Sequence, residues 1–390
     1  MKTIGCVWLT IALLFVPLSS AWAAITPEQY ADAEKFFTDL FIHEEVVGGG
    51  VLVHQGGERI FECYYGWGNW ARDRAVDADT VYKVASVSKL ISAIGLMRLY
   101  DQGLLDLDAP LTSESGKLIE NPYHPGVPIS MRQVMSHTSS FRTDAAFVGK
   151  IQWDYIDLYD NPIFSGALPG ERFTYSNLNG GMLTSMVELL SGKNFNRYMI
   201  ENVFKPLGIN AAYAAHLLPD PTVISNTYQA DGMVYRSAQK YLEDDAWGYT
   251  ETCAPYAHYA ASVGNCYISL AGLEKIGRLL VGMGEVDGVR ILSEETVRLM
   301  MADQSTIPGS GVTAESPYGL CVCRDQVGGV MWYGHQGRLE GLMADLFVEP
   351  ETQTVLVFLL NGAGGANGRE VSYQAEKAMA YVEAWMQDVP

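Results

Sequence analysis

The stretch Val81-Tyr82-Lys83-Val84-Ala85-Ser86-Val87-Ser88-Lys89-Leu90-Ile91-Ser92-Ala93-Ile94-Gly95-Leu96-Met97 changes character at its sixth residue. Before Ser86 it is a short strand-like lead-in. After it, Leu90, Ile91, Ile94, Met97 and Leu99 predict an apolar helix that Gly103 ends. Ser86 and Lys89 form an S-x-x-K at the start of that helix, on one face and about one turn apart. A serine hydroxyl is a poor nucleophile until a base takes its proton. A lysine beside it can become that base or favour the alkoxide. The amino end of the helix adds N–H groups and a positive field where an oxyanion forms.

Working outward, an amphipathic helix is predicted from about Glu28 to Val46. Gly50 to His54 and Arg59 to Tyr64 read as two strands joined by a tight turn at Gly56-Gly57. From Ser86 to about Val281 the texture is helical, with further helices over Met182–Leu190, ended by Gly192, and Leu270–Leu280. Strands return at Leu320–Arg324, Met331–Tyr333, Met343–Val348 and Val355–Leu360, and a helix closes the chain from about Arg369 to Met386. The pattern predicts an α+β fold. An antiparallel sheet flanked by N- and C-terminal helices (24–85 plus 290–390) receives an inserted, mostly helical part (86–289). The cleft between two such parts is the default place for a site.

Residues 1–23 read as a secretory signal peptide. Lys2 precedes the apolar run from Val7 to Val16, Pro17 breaks it, and Ala21-Trp22-Ala23 supplies a small-x-small cleavage pattern. An uncleaved anchor is the alternative. No later segment has the length of a membrane span, so a periplasmic or secreted protein is expected. A net charge of −19 argues against nucleic acid and anionic membranes as partners. Of Cys63, Cys253, Cys266, Cys321 and Cys323, the pair Cys253–Cys266 is the first disulfide to expect, and the odd count leaves a thiol over. Cys321-Val322-Cys323 has strand-like spacing without a nearby His or CxxC, so neither a metal nor a cofactor is expected.

Short motifs have decoys. Ser237-Ala238-Gln239-Lys240 repeats the S-x-x-K but opens a polar stretch, and is read as surface. Tyr175-Ser176-Asn177 is a Y-x-N in which a phenol can shuttle a proton and an amide can hold a substrate carbonyl. Its decoy, Tyr159-Asp160-Asn161, lies in an aromatic loop with Trp153 and Tyr155. His335-Gln336-Gly337 is an H-x-G ending a strand, which suits an edge where a substrate could pair. Of its decoys, His54 sits at a hairpin turn and His124 in a Pro-rich loop. Order and surroundings favour Ser86, Lys89, Tyr175 and His335.

Together these motifs resemble those of the serine β-lactamase and penicillin-binding protein superfamily, nearest the class C β-lactamases, D-Ala-D-Ala carboxypeptidases, D-aminopeptidases and related esterases. Gly103 to Leu111, Met135 to Ser140, Pro169 to Asn177 and Tyr318-Gly319-Leu320 extend the resemblance over nearly the whole chain. The resemblance implies that Ser86 attacks an acyl carbon, while Lys89 and Tyr175 relay its proton and Tyr175 protonates the leaving group. It implies that Asn177 orients the substrate and that His335 stands where many relatives have lysine. Backbone N–H groups of Ser86 and Arg338 would form the oxyanion hole, with Gln336, Gly337 and Arg338 on the substrate. His137 matches a recurring structural motif and is read as a satisfied loop histidine.

Two departures bear on the substrate. Gln336 replaces a usual hydroxyl residue. Arg338 follows the glycine, either as a bidentate grip on a carboxylate or as an exposed charge. No deacylating glutamate is identified. The expected function is a serine peptidase or amidase on small peptides, amides or cell-wall fragments. An esterase comes second, a β-lactamase third, and a non-catalytic binding domain is the alternative of a different class.

Overall fold

The predicted hairpin is present: β1 (Gly48–Gln55) and β2 (Glu58–Asn69) run antiparallel. Gly56 and Gly57 turn it at φ of 59° and 101°, a region where other residues are strained. This computed structural model describes residues 25–69, 71, 73–116, 119–142, 163–229, 231–246, 251–253, 258, 260–304, 318–362 and 368–387. The signal-peptide expectation and the Tyr159 decoy with Trp153 and Tyr155 lie outside them.

In chain order, α1 (Pro27–His43) precedes the hairpin, and β3 (Arg74–Ala75), β4 (Val81–Lys83) and α2 (Val87–Asp101) follow it. The middle supplies α3 (Asn177–Ser191), β5 (Ala211–Ala212), α4 (Ala261–Gly264), β6 (Tyr267–Ser269), α5 (Leu270–Val281) and α6 (Glu294–Met301). Then come β7 (Cys323–Val327), β8 (Val330–Leu339), β9 (Leu342–Glu349), β10 (Thr354–Asn361) and α7 (Gly368–Gln387). Thr26 starts α1 with a reciprocal capping box to Gln29. Among the described residues, no helix is long and apolar enough to cross a membrane.

The main antiparallel sheet has the order β7-β8-β9-β10-β1-β2-β3. Its central strands are buried on both faces because alternate residues enter different cores. Val355, Val357 and Leu359 of β10 join a cluster with α2, α3 and α5. Leu356, Phe358 and Leu360 join another with Phe37 and Phe41 of α1 and Met379 and Trp385 of α7. Each such side chain contributes about 1.5–3 kcal/mol. The expected α+β arrangement therefore holds, with the terminal helices on one face and the inner helices on the other. β4 belongs to a small second sheet, β4-β6-β5, which delivers the chain to the start of α2.

Three expectations need correction. The strand expected from Leu320 starts only at Cys323. Leu320 and Cys321 donate their N–H groups to the Met300 and Met135 carbonyls, and Cys321 takes φ +57°, so this piece is a tight turn. Cys253 and Cys266 are not joined; all five described cysteines are free. Cys266 is buried, its N–H donating to Ser88 Oγ, whereas Cys253 is exposed and its Sγ donates to the Glu188 carbonyl. His54 is not in the turn but inside β1, buried, with Nδ1 3.3 Å from Glu274 of α5. The second S-x-x-K lies on a surface helix, where Lys240 pairs with Asp244.

Candidate active site

The lead-in to α2 turns sharply. Ala85 takes φ +46°, and Ser86 follows at φ −67°, ψ −13°. A left-handed non-glycine residue costs on the order of 1–3 kcal/mol. Gly337 makes room for it, since a Cβ there would sit 3.2 Å from Ala85 Cβ. N–H groups of Ser88 and Lys89 then close the first turn onto the Ala85 and Ser86 carbonyls, each at 2.9 Å. The helix behind is buried on almost every side, which anchors the turn.

Lys89 is fully buried. Its Nζ donates to Ser86 Oγ at 3.0 Å and to the Val263 carbonyl at 2.7 Å, and stands 5.2 Å from the centre of the Tyr175 ring. Gly180 makes space, since a Cβ there would lie 3.0 Å from Lys89 Cε. Burial lowers the Lys89 pKa to about 7, with the thiols of Cys321 and Cys323 acting weakly the other way. The amine can therefore shed its proton near neutrality beside the hydroxyl it touches.

Tyr175 is pushed well above the ordinary phenol range by burial, and a hydrogen bond to Ser86 works against that. His137 holds it from both sides. The Thr174 N–H donates to the His137 carbonyl at 2.7 Å, and the Ser176 N–H donates to Nδ1 at 3.1 Å. Asn179 donates to the same Nδ1 at 2.9 Å, and the two rings lie 4.3 Å apart. Burial keeps His137 neutral, with Lys89 and His335 adding to the effect. His137 is thus a support for Tyr175; the signal for it was the run Met135–Ser140. Ser176 caps α3, its Oγ accepting from the Leu178 N–H, and Asn177 is the first residue of that helix.

The H-x-G lies within β8, and β7 pairs only with Val330–Gly334 of it, so Cys323↔Gly334 ends that ladder. From His335 onward this edge of β8 has no strand partner among the described residues, while the other edge continues along β9. Adjacent strand residues point to opposite faces. His335 and Gly337 face α2; Gln336 and Arg338 leave on the other face, opposite Asp345 and Met343 of β9.

His335 is buried. Its Nδ1 donates to the Gln336 carbonyl at 2.6 Å, so Nε2 accepts from the Tyr318 hydroxyl at 2.9 Å. Burial, then Lys89, lowers its pKa to about 3. The imidazole is neutral and both nitrogens are used inside the protein, unlike a lysine at that place. Tyr318, a partner that motif reading did not assign, orients it. Asp345 is buried and raised to about 8 by loss of water, with Arg338 acting against this and Asp325 with it.

Gly337 does a different job from a substrate contact. A Cβ there would stand 2.2 Å from the Val84 carbonyl oxygen and 3.0 Å from Ser86 N. Gly337→Ala is expected to push β8 off the Ser86 turn and lower kcat by about 100-fold. A wild-type kcat for purified Gly337→Ala would show that this close approach has no bearing on the reaction.

Of the expected site residues, Ser86, Lys89, Tyr175, His335 and Gly337 thus converge on the start of α2, while the Gln336 and Arg338 side chains leave on the other face of β8. His54 sits apart with Glu274, and His124 Nε2 meets the Gly166 carbonyl at 2.8 Å.

Residues 33–380 match the family described as Beta-lactamase. Among characterised proteins, the D-alanyl-D-alanine-carboxypeptidase/endopeptidase AmpH of Escherichia coli is 27% identical over 207 residues, covering 49% of this chain and 52% of that one. The chain thus spans about half the length of this relative. The Esterase/beta-lactamase LipL of Mycobacterium tuberculosis is 22% identical over 357 residues, 85% of this chain and 81% of that one. Two solved structures share the fold. An octameric penicillin-binding protein homologue from Pyrococcus abyssi has TM-score 0.72 and 20% identity, covering 91% of this chain and 77% of its own. The D-amino acid amidase from Ochrobactrum anthropi has TM-score 0.71 and 18% identity, covering 92% and 99%.

Proposed function

Because this chain belongs to the Beta-lactamase family, we propose that it is an exported serine hydrolase that forms an acyl-enzyme at Ser86 and acts as a peptidase or amidase on small or cell-wall-type peptides. The observation that carries the reading is the buried Lys89 amine in contact with Ser86 Oγ, which burial lets lose its proton near pH 7. Lys89 takes the hydroxyl proton as Oγ attacks the acyl carbon. Backbone N–H groups of Ser86 and Arg338 receive the oxyanion. Tyr175 passes a proton to the leaving amine, and Asn177 orients the acyl group. Water then hydrolyses the ester at Ser86 by the reverse relay. The substrate lies along the open β8 edge, in a cleft between a sheet part (24–85 and 290–390) and a helical part (86–289). Export rests on residues 1–23.

Neutral His335, and an Arg338 side chain on the face of β8 away from α2, leave little to grip a free carboxylate. That supports amides and amino-acyl groups over substrates held by a terminal carboxylate. An esterase is the second reading, favoured by the long match to LipL.

A panel of D-amino-acyl amides, D-Ala-D-Ala peptides, short-chain esters and a chromogenic cephalosporin decides among these. The amides are expected to give kcat/KM values at least about 10-fold above the carboxylate-bearing peptides, a difference of about 1.4 kcal/mol. Preference for D-Ala-D-Ala peptides or the cephalosporin would overturn the amidase reading, and preference for esters would favour the second one.

A further inference from the structure

The Val263 carbonyl that receives Lys89 comes from far along the chain, and a continuous set of contacts holds it there. Described residues between 258 and 266 cross the start of α2 as a strap. At one end, Cys266 accepts from the Val84 N–H at 2.9 Å and donates to Ser88 Oγ at 3.0 Å. Gly264 lies against Ala85. The rest of the strap follows one face of α3, on residues four apart. A Cβ on Gly180 would lie 3.4 Å from Val263 Cα. Thr184 Oγ1 accepts from the Ser262 N–H at 3.0 Å and shares a 2.5 Å hydrogen bond with its hydroxyl. Glu188 Oε1 accepts from His258 Nδ1 at 2.9 Å and from the Phe195 N–H at 2.8 Å.

Glu188 is completely buried. Burying a carboxylate costs several kcal/mol before any partner is found, so such a pair is a poor choice where only stability is needed. Its place is informative instead. It is the last member of the Gly180–Thr184–Glu188 stripe, and the first member makes room for Lys89 itself.

We propose that Glu188 and His258 are positioning residues for Lys89, holding the strap so that the Val263 carbonyl stays on Nζ and water stays away from it. This rests on the reading of Lys89 as the base for Ser86. Nζ is faced by Ser86 and the Val263 carbonyl, the Tyr175 ring, the Cys321 and Cys323 thiols, and the neutral imidazoles of His137 and His335. Burial is the main influence on its proton affinity, so a loosened strap that admits water moves the amine back towards an ordinary lysine. Around His258 stand Glu188 and, on the Glu188 carbonyl, the Cys253 thiol.

The test measures fluorophosphonate labelling of Ser86 against pH, together with kcat and KM on an activated ester. For His258→Ala we expect kcat to fall by about 10-fold with KM unchanged, and the acid limb of the profile to move to higher pH. His258→Gln, whose amide still donates to Glu188, is expected to restore most of the rate. Thr184→Val loosens the strap without removing the buried pair and is expected to move the limb the same way. It serves as the readout if His258→Ala does not fold. Wild-type kcat and an unmoved acid limb in the folded variants would overturn the proposal while Ser86 labelling stands. Failure of the wild-type protein to label at Ser86 would instead remove the functional reading beneath it.

Discussion

Ser86→Ala is expected to lower kcat/KM on an activated ester by about four orders of magnitude or more, and to abolish the covalent adduct formed by a fluorophosphonate. Without Oγ no acyl-enzyme forms, and only the oxyanion donors and substrate binding can still speed attack by water. The shape of the site should survive. Ser86 Oγ caps no N–H group of α2, and the helix is held by its buried flanks. Intact mass and peptide mapping on the wild-type protein check both halves of the expectation. The adduct should sit on Ser86 and be absent from Ser237, which has the same S-x-x-K spacing on the surface. Unchanged ester hydrolysis by Ser86→Ala would refute the central assignment.

Lys89→Met should separate activity from stability. Loss of the base is expected to lower kcat by about 10²–10⁴-fold, and Lys89→Arg should not restore it, because a guanidinium does not give up its proton. In the wild-type protein the rate should rise with pH through about 7 as the amine becomes neutral. The stability of the wild-type fold should rise with pH as well. The folded pKa lies below the unfolded value, so the unfolded chain binds more protons between about pH 7 and 10.4. The penalty for burying the ammonium is complete below about pH 7 and is relieved as pH rises through that window. Lys89→Met should therefore stabilise the fold, by on the order of 1–4 kcal/mol and most strongly at acid pH. Urea unfolding at pH 6 and pH 9.5 measures it. A variant that is less stable than wild type at pH 6 would contradict the origin assigned to the shift.

How much was legible can be argued residue by residue. Ser86 and Lys89 are three apart on a helix, so their contact is local geometry and follows from spacing. Tyr175 was reached through motif order, because a Y-x-N alone has a decoy. The H-x-G was legible as a strand edge, but its residues were read as one cluster. Strand alternation already says that His335 and Gly337 cannot share a face with Gln336 and Arg338, and β8 follows that rule. Gly337 was read as a substrate contact, whereas its missing side chain leaves space for the Val84 carbonyl. The Cys253–Cys266 expectation relied on separation along the chain. A disulfide needs Cβ atoms facing each other, and here one thiol is in the core and the other at the surface.

The sequence alone determined the elements and the candidate nucleophile, since helix period, strand runs and a one-turn spacing are properties of neighbouring residues. Tertiary structure alone decided the electrostatics of the site. Lys89 comes down to about 7 because it is buried, and His335 is neutral because burial, then Lys89, disfavours its charged form. The acceptor that completes the Lys89 environment is the backbone carbonyl of Val263, 174 residues away. Every residue carries such a carbonyl, so no side-chain pattern can announce it; only packing brings it to the lysine.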